Sequence, residues 1–146
     1  MSVRLSARPL SVAAAYAALA DPRSGAVVLF VGRVRPDAVG GRTVRALEYE
    51  AHRSVALAGL ARLERAAREG TGVRRVILWH RTGQLAVGTP SVIVGVAAAH
   101  RGTAFRIAAR LIAQLKREVP IWKTERWRSA HPRRRPPRPR AGPGAG

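Results

Sequence analysis

The chain has no cysteine. That excludes disulfides, thiolate zinc sites and cysteine nucleophiles, and it excludes a persulfide carried on the chain itself. Any sulfur chemistry must use sulfur that arrives on another molecule. Aromatic residues make up only 5%, so a core must be built from aliphatic side chains and alanine. No apolar run approaches the roughly 18 residues that a membrane helix needs. The opening Met1-Ser2-Val3-Arg4-Leu5-Ser6 lacks the charged, apolar and small-residue segments of a secretory leader. The expected location is the cytoplasm, with no membrane partner.

Lysine is almost absent as well. Of 27 basic residues, 25 are arginine and two are lysine, Lys116 and Lys123, seven positions apart. Arginine stays protonated near neutral pH and neither attacks nor donates a proton. Lysine does both once its surroundings lower its pKa. A chain that uses arginine wherever a charge is enough, yet keeps two lysines in one short segment, draws attention to that segment. The alternative is that both are solvated cations, Lys116 at a helix end and Lys123 at a strand end.

Acidic residues are scarce too, eight against 27 basic, for a net charge of +19. Residues 126–146 hold seven arginines, no acid and five of the ten prolines. This Arg/Pro/Gly-rich segment reads as a disordered tail. Residues 1–125 carry the remaining +12 and read as one domain, which is long enough for a single core. A basic domain suits an anionic small substrate, an acidic protein partner or RNA. The shortage of aromatics argues against base stacking as the main mode of binding, which leaves nucleic acid the weaker choice.

The pattern of the chain gives an order of elements. A short strand spans Val3–Leu5. An alanine-rich helix follows over Ser11–Ala20, with Ser11 as N-cap and Asp21-Pro22 as its stop. Ala26–Val34 is a buried strand, and Val44–Glu50 alternates as a half-buried one. Between them Pro36–Arg42, with Gly40-Gly41, reads as a loop. His52–Glu69 is an amphipathic helix with Val55, Leu57, Leu60, Leu63 and Ala67 apolar. Strands follow at Val73–Thr82, around Leu85–Val87, and at Ser91–Ala99. A last helix covers Thr103–Glu118, with Phe105, Ala108, Leu111, Ile112 and Leu115 on one face. Pro120 ends it and forces Val119–Trp122 to extend. Two successive strands without a helix between them argue against a doubly wound parallel sheet. The fold class is α+β, with a mixed or antiparallel sheet and about three helices.

Four places carry candidate chemistry. Lys116 and Lys123 bracket a sharp change of direction, so their ammonium groups converge if the turn is tight. Two close cations depress each other's pKa, which leaves one amine free to act as base or nucleophile beside a fixed charge. Arg33 and Arg35 fall on one side of a strand end and suit an anion clamp. His100-Arg101 opens the last helix, where free N–H groups and the helix dipole favour a phosphate. His80-Arg81 repeats that pair, but Trp79 and Gly83 beside it point to a packed turn. The four histidines lack ligand spacing, so no metal site and no cofactor is expected.

These pieces form an ordered set. Phe30-Val31-Gly32-Arg33-Val34-Arg35, Leu47-Glu48-Tyr49-Glu50-Ala51, His80 to Gly88, Ala99-His100-Arg101, and Leu115-Lys116 through Pro120-Ile121-Trp122-Lys123-Thr124-Glu125 resemble the catalytic (large) subunit family of molybdopterin synthase. The resemblance covers about residues 3–125. It implies an α/β-hammerhead type of α+β domain. It implies a sulfurtransferase of molybdenum cofactor biosynthesis, which converts cyclic pyranopterin monophosphate to molybdopterin. The sulfur would come from the C-terminal Gly-Gly thiocarboxylate of a small ubiquitin-like subunit, within a heterotetramer built on a homodimer of large subunits. Lys116 and Lys123 match the family's catalytic lysines. Arg33, Val34, Arg35, His100, Arg101, Thr124 and Glu125 match its substrate-binding positions. The resemblance predicts one pocket joining Lys116, Lys123, Arg35, His100 and Arg101. The segment after Glu125 departs from the family's pattern, which leaves a catalytically impaired scaffold subunit as the alternative within the same complex.

Overall fold

A computed structural model describes residues 2–36, 38–39 and 42–127, with the backbone alone for 38–39, 42–44 and 125–127. Most of the expected tail, and the Gly40-Gly41 centre of the expected loop, lie outside the described residues. The elements run β1 (Val3–Ser6), α1 (Val12–Ala18), β2 (Ala26–Arg33), β3 (Ala38–Val39), β4 (Arg42–Ala51), α2 (Arg53–Arg68), β5 (Val73–Arg81), β6 (Gly83–Ala86), β7 (Pro90–Ala98), α3 (Arg101–Glu118) and β8 (Ile121–Trp127).

β1, β5, β7 and β2 form one sheet in that order. β1 lies parallel to β5, while β7 is antiparallel to both β5 and β2. The expectation of a mixed sheet holds. Alternation along β5 sends Val76 and Leu78 to one face and Ile77 and Trp79 to the other. The first face meets α2 and α3 through Leu60, Leu63, Leu111 and Leu115, all buried. The second meets α1 through Leu10, Ala15 and Leu19. Each fully buried leucine or isoleucine stabilises such a layer by about 1.5–3 kcal/mol.

Ser11 caps α1, its hydroxyl accepting from the Ala14 N–H at 3.1 Å. The helix lies close to the sheet because Gly95 has no side chain. A Cβ there would stand 2.6 Å from Leu19 Cδ1 and 2.8 Å from Ile77 Cγ1. Both side chains are packed, Leu19 fully and Ile77 nearly so. Gly95→Ala is therefore expected to lower stability by about 1–3 kcal/mol through overpacking. A urea midpoint equal to the wild type's would refute that contact.

Two helix faces differ from the sequence expectation by one residue. Val55 and Phe105 are exposed, at 51% and 63%, while Ala56 and Ala104 beside them are fully buried. The physical reason is close approach. A methyl group lets the helix backbone sit near the sheet, and the larger neighbour turns outward. Apolar periodicity weights bulk and so misplaces this one position in each helix, while Leu60, Leu63, Ala67, Ala108, Leu111 and Leu115 are buried as expected.

The second sheet is built on β4. β6 and β8 both pair with β4 in antiparallel register, and β3 pairs with its first residues. β3 falls where a loop was expected, and β8 continues to Trp127, two residues past the boundary that composition gives. Val34, Leu47 and Leu85 form a small separate core that ties this sheet to the end of β2. The junction between the two sheets is where the charged side chains gather.

Candidate active site

Arg33 and Arg35 are aimed by the residue between them. Val34 is 3% exposed and packs against Leu47 and Leu85. Its N–H donates to the Thr89 carbonyl at 3.1 Å, and its own carbonyl accepts from the Gly88 N–H at 2.8 Å. With Val34 turned inward, both arginines turn outward together. A register shift between Gly32 and Arg33 marks the place where β2 leaves its pairing with β7. Val34, expected among the substrate-binding residues, has its side chain in the small core and its N–H and carbonyl bonded to Thr89 and Gly88. It is the anchor of the arginine pair.

The lysines are aimed by the turn after α3. Leu115 and Val119 are buried, while Lys116 and Lys123 are exposed. The Val119 N–H closes the helix on the Leu115 carbonyl at 3.2 Å, and the backbone is then extended. β8 pairs with β4, which sets Lys123 opposite Tyr49. The reversal lays the start of β8 beside the last turn of α3.

One cavity of about 430 Å³ joins these groups. Arg33, Arg35, Lys116 and Lys123 all line it, together with His80, Tyr49 and Ser91. Phe30, Leu115 and Ile121 supply apolar wall. Among the described residues no carboxylate lines it. The volume suits a small ligand. Four lining cations suit it to an anion, or to a group that becomes anionic during reaction. Among the described residues, no cluster of histidine, aspartate or glutamate is placed to hold a metal ion.

His100 and Arg101 do not join this cavity. They stand at the N-cap and first position of α3, and Lys116 lies near its other end. Sixteen residues of helix at 1.5 Å each separate them by roughly 24 Å. Both are exposed, and His100 makes no side-chain capping bond. The expectation of one pocket containing both pairs is not met within a single chain, and the length of α3 is the reason. Thr124 is exposed beside Lys123 but outside the lining. Glu125 is described by its backbone alone, opposite Leu47 of β4.

His80 is in the wall, although the sequence reading favoured a packed turn. It is only 6% exposed. Its Nδ1 lies 2.6 Å from the Arg81 carbonyl oxygen, so Nδ1 carries the proton and donates. The Tyr49 ring meets the imidazole edge-on, with centroids 5.1 Å apart. Burial holds the imidazole below the ordinary histidine range, partly offset by its bond to the Arg81 carbonyl. The signal was present in the period of two along Val76, Leu78 and His80. The next residue, Arg81, points to the other face, where it donates to the Ala7 carbonyl at 3.0 Å.

The family described as MoaE protein matches residues 5–118. The chain belongs to the MoaE family. A Mycobacterium tuberculosis relative, "Molybdopterin synthase catalytic subunit 1", is 43% identical over 123 residues, which is 84% of this chain and 82% of that one. "Molybdopterin synthase catalytic subunit" of Pyrococcus abyssi is 35% identical over 76% of this chain and 74% of its own. Among solved structures, molybdopterin synthase from Staphylococcus aureus superposes with a TM-score of 0.81 at 31% identity, covering 86% of this chain and 91% of that chain. The MoaE match spans all four cavity cations except Lys123, which lies five residues beyond it.

Proposed function

We propose that this MoaE-family chain is the catalytic subunit of a molybdopterin synthase. It transfers sulfur from a thiocarboxylated small subunit to cyclic pyranopterin monophosphate. The observation that carries this reading is the meeting of both lysines of the chain with Arg33 and Arg35 in one cavity. Both reactants are anions, a thiocarboxylate and a cyclic phosphate ester. Arg33 and Arg35 suit the phosphate, because a guanidinium presents a planar fork to its oxygens. Lys116 and Lys123 suit the acyl carbon. A lysine ammonium there steadies the oxyanion that forms, and a lysine amine, unlike a guanidinium, can form a bond to that carbon. The absence of cysteine agrees with a donor sulfur held on a partner. Thr124 and Glu125 belong to this reading as neighbours of Lys123 on β8. The absence, among the described residues, of any helix long and apolar enough to cross a membrane is compatible with work in the cytoplasm.

His100 and Arg101 enter this reading only from a second copy. In a homodimer of catalytic subunits, the α3 N-terminus of one chain would face the cavity of the other. A mixed dimer tests this. Lys116→Ala chains and His100→Ala/Arg101→Ala chains are expected to be inactive separately and to regain activity when co-assembled. No recovery in a verified mixed dimer would remove His100 and Arg101 from the site.

The reading as a whole is tested by reconstitution. Purified protein, thiocarboxylated small subunit and cyclic pyranopterin monophosphate should yield the dithiolene product. The same mixture with a small subunit ending in an ordinary carboxylate should yield none. Equal product from both mixtures would contradict the reading.

A further inference from the structure

The cavity holds four cations and one buried imidazole. The cations can donate hydrogen bonds and balance charge. While protonated, none of them can accept a proton. Tyr49 and Ser91 supply hydroxyls, and the Ser91 hydroxyl already donates to the Gly32 carbonyl at 3.3 Å. His80 is different in kind. A carbonyl oxygen only accepts, so the 2.6 Å contact with Arg81 commits Nδ1–H as donor. In the neutral ring Nε2 is then the nitrogen that can accept a proton, in a side chain that lines the cavity. The edge-on Tyr49 ring fixes the plane in which the Nε2 lone pair lies. This is the second-group orientation that makes a histidine an effective base.

We propose that His80 is the proton acceptor of this cavity, its Nε2 taking the proton shed by the nucleophile that attacks the donor's acyl carbon. The inference rests on the sulfur-transfer reading above. The step acts on the thioester formed once the donor's sulfur has bonded to a pterin carbon and displaced an oxygen substituent there: an O–H or N–H nucleophile forms a bond to the acyl carbon, and its proton passes to Nε2. The resulting oxyanion collapses, the C–S bond breaks with both electrons on sulfur, and the sulfur stays on the pterin side as a thiolate. The imidazolium returns the proton to that thiolate or to water. No oxidant or reductant is needed. The surrounding charges favour the arrangement. Arg33 from β2, Lys116 from α3 and Lys123 from β8 line the same cavity, as does Arg35 just past β2. Burial in the cavity wall disfavours the charged ring at rest, while Tyr49 from β4 is the titratable group in direct ring contact. From β1 and β7, which flank β5, Leu5 and Val92 stand opposite His80 and bring no charge.

The test uses the full chain with its small subunit. His80→Asn keeps a donor near the Arg81 carbonyl, and His80→Gln places an amide where Nε2 stood; neither can accept a proton at working pH. Both are expected to lower the single-turnover rate about 100-fold, within the usual range for a general base, while the substrate KM changes by less than about threefold. The wild-type rate should fall at acidic pH with the same midpoint that nitrogen NMR gives for His80, and that limb should vanish in the variants. Wild-type rates in either folded variant, or an acid limb that does not follow the His80 titration, would overturn the proposal. If both variants fail to fold, the comparison of the wild-type limb with the NMR midpoint decides alone. A wild-type protein that makes no product would instead defeat the sulfur-transfer reading on which the proposal stands.

Discussion

Lys116→Arg is expected to lower turnover by about 10²–10⁴-fold, the range set by loss of a general acid–base or nucleophilic group. Charge is kept at this position and proton transfer is lost. Folding should hardly change. Lys116 is exposed in the last turn of α3, beside Arg117, and an arginine there still complements the helix dipole. The variant therefore separates chemistry from charge. Binding of the small subunit and the melting temperature should match the wild type. Wild-type turnover would mean that Lys116 acts only as a point charge, and that the scarcity of lysine in this chain has no chemical meaning.

Arg35→Ala should produce the second large effect, and of a different kind. If Arg35 holds the phosphate by charge-assisted hydrogen bonds, its loss removes about 1.5–3 kcal/mol of binding. KM should rise roughly 10–100-fold, at about 1.4 kcal/mol per tenfold, with a smaller change in kcat. Arg35→Lys should recover only part of the loss, because an ammonium cannot present the planar fork. The buried Val34 anchor stays in place, so the local backbone should hold. A fall in kcat at unchanged KM would place Arg35 at the reacting centre and take the phosphate away from it.

Local physics made much of this legible in the sequence. The Ser11 cap, the Pro120 stop and the alternation that sets Arg33 and Arg35 on one side each depend on near neighbours, and each appears as expected. The convergence of Lys116 and Lys123 was also readable, because a helix stop followed by an extended segment brings the two ends together. What failed depends on distant partners. Phe105 and Val55 turned outward because the sheet beneath α3 and α2 accepts alanine there. β3 forms by pairing with β4, a contact that a Gly-rich local pattern conceals. His80 looked like part of a turn until Tyr49, from another sheet, closed over its ring. His100 and Arg101 were grouped with the lysines by motif order, yet the length of α3 keeps them apart in one chain.

One measurement bears most directly on the cavity as the place of sulfur transfer. In a single turnover, the thiocarboxylated small subunit and cyclic pyranopterin monophosphate are mixed with the purified protein. Intact mass of the small subunit and dithiolene formation are then followed together. The predicted result is that the thiocarboxylate becomes a carboxylate in step with dithiolene appearance, and that both stop in Lys116→Arg. A folded protein that binds the small subunit yet leaves thiocarboxylate and pterin unchanged would contradict the account.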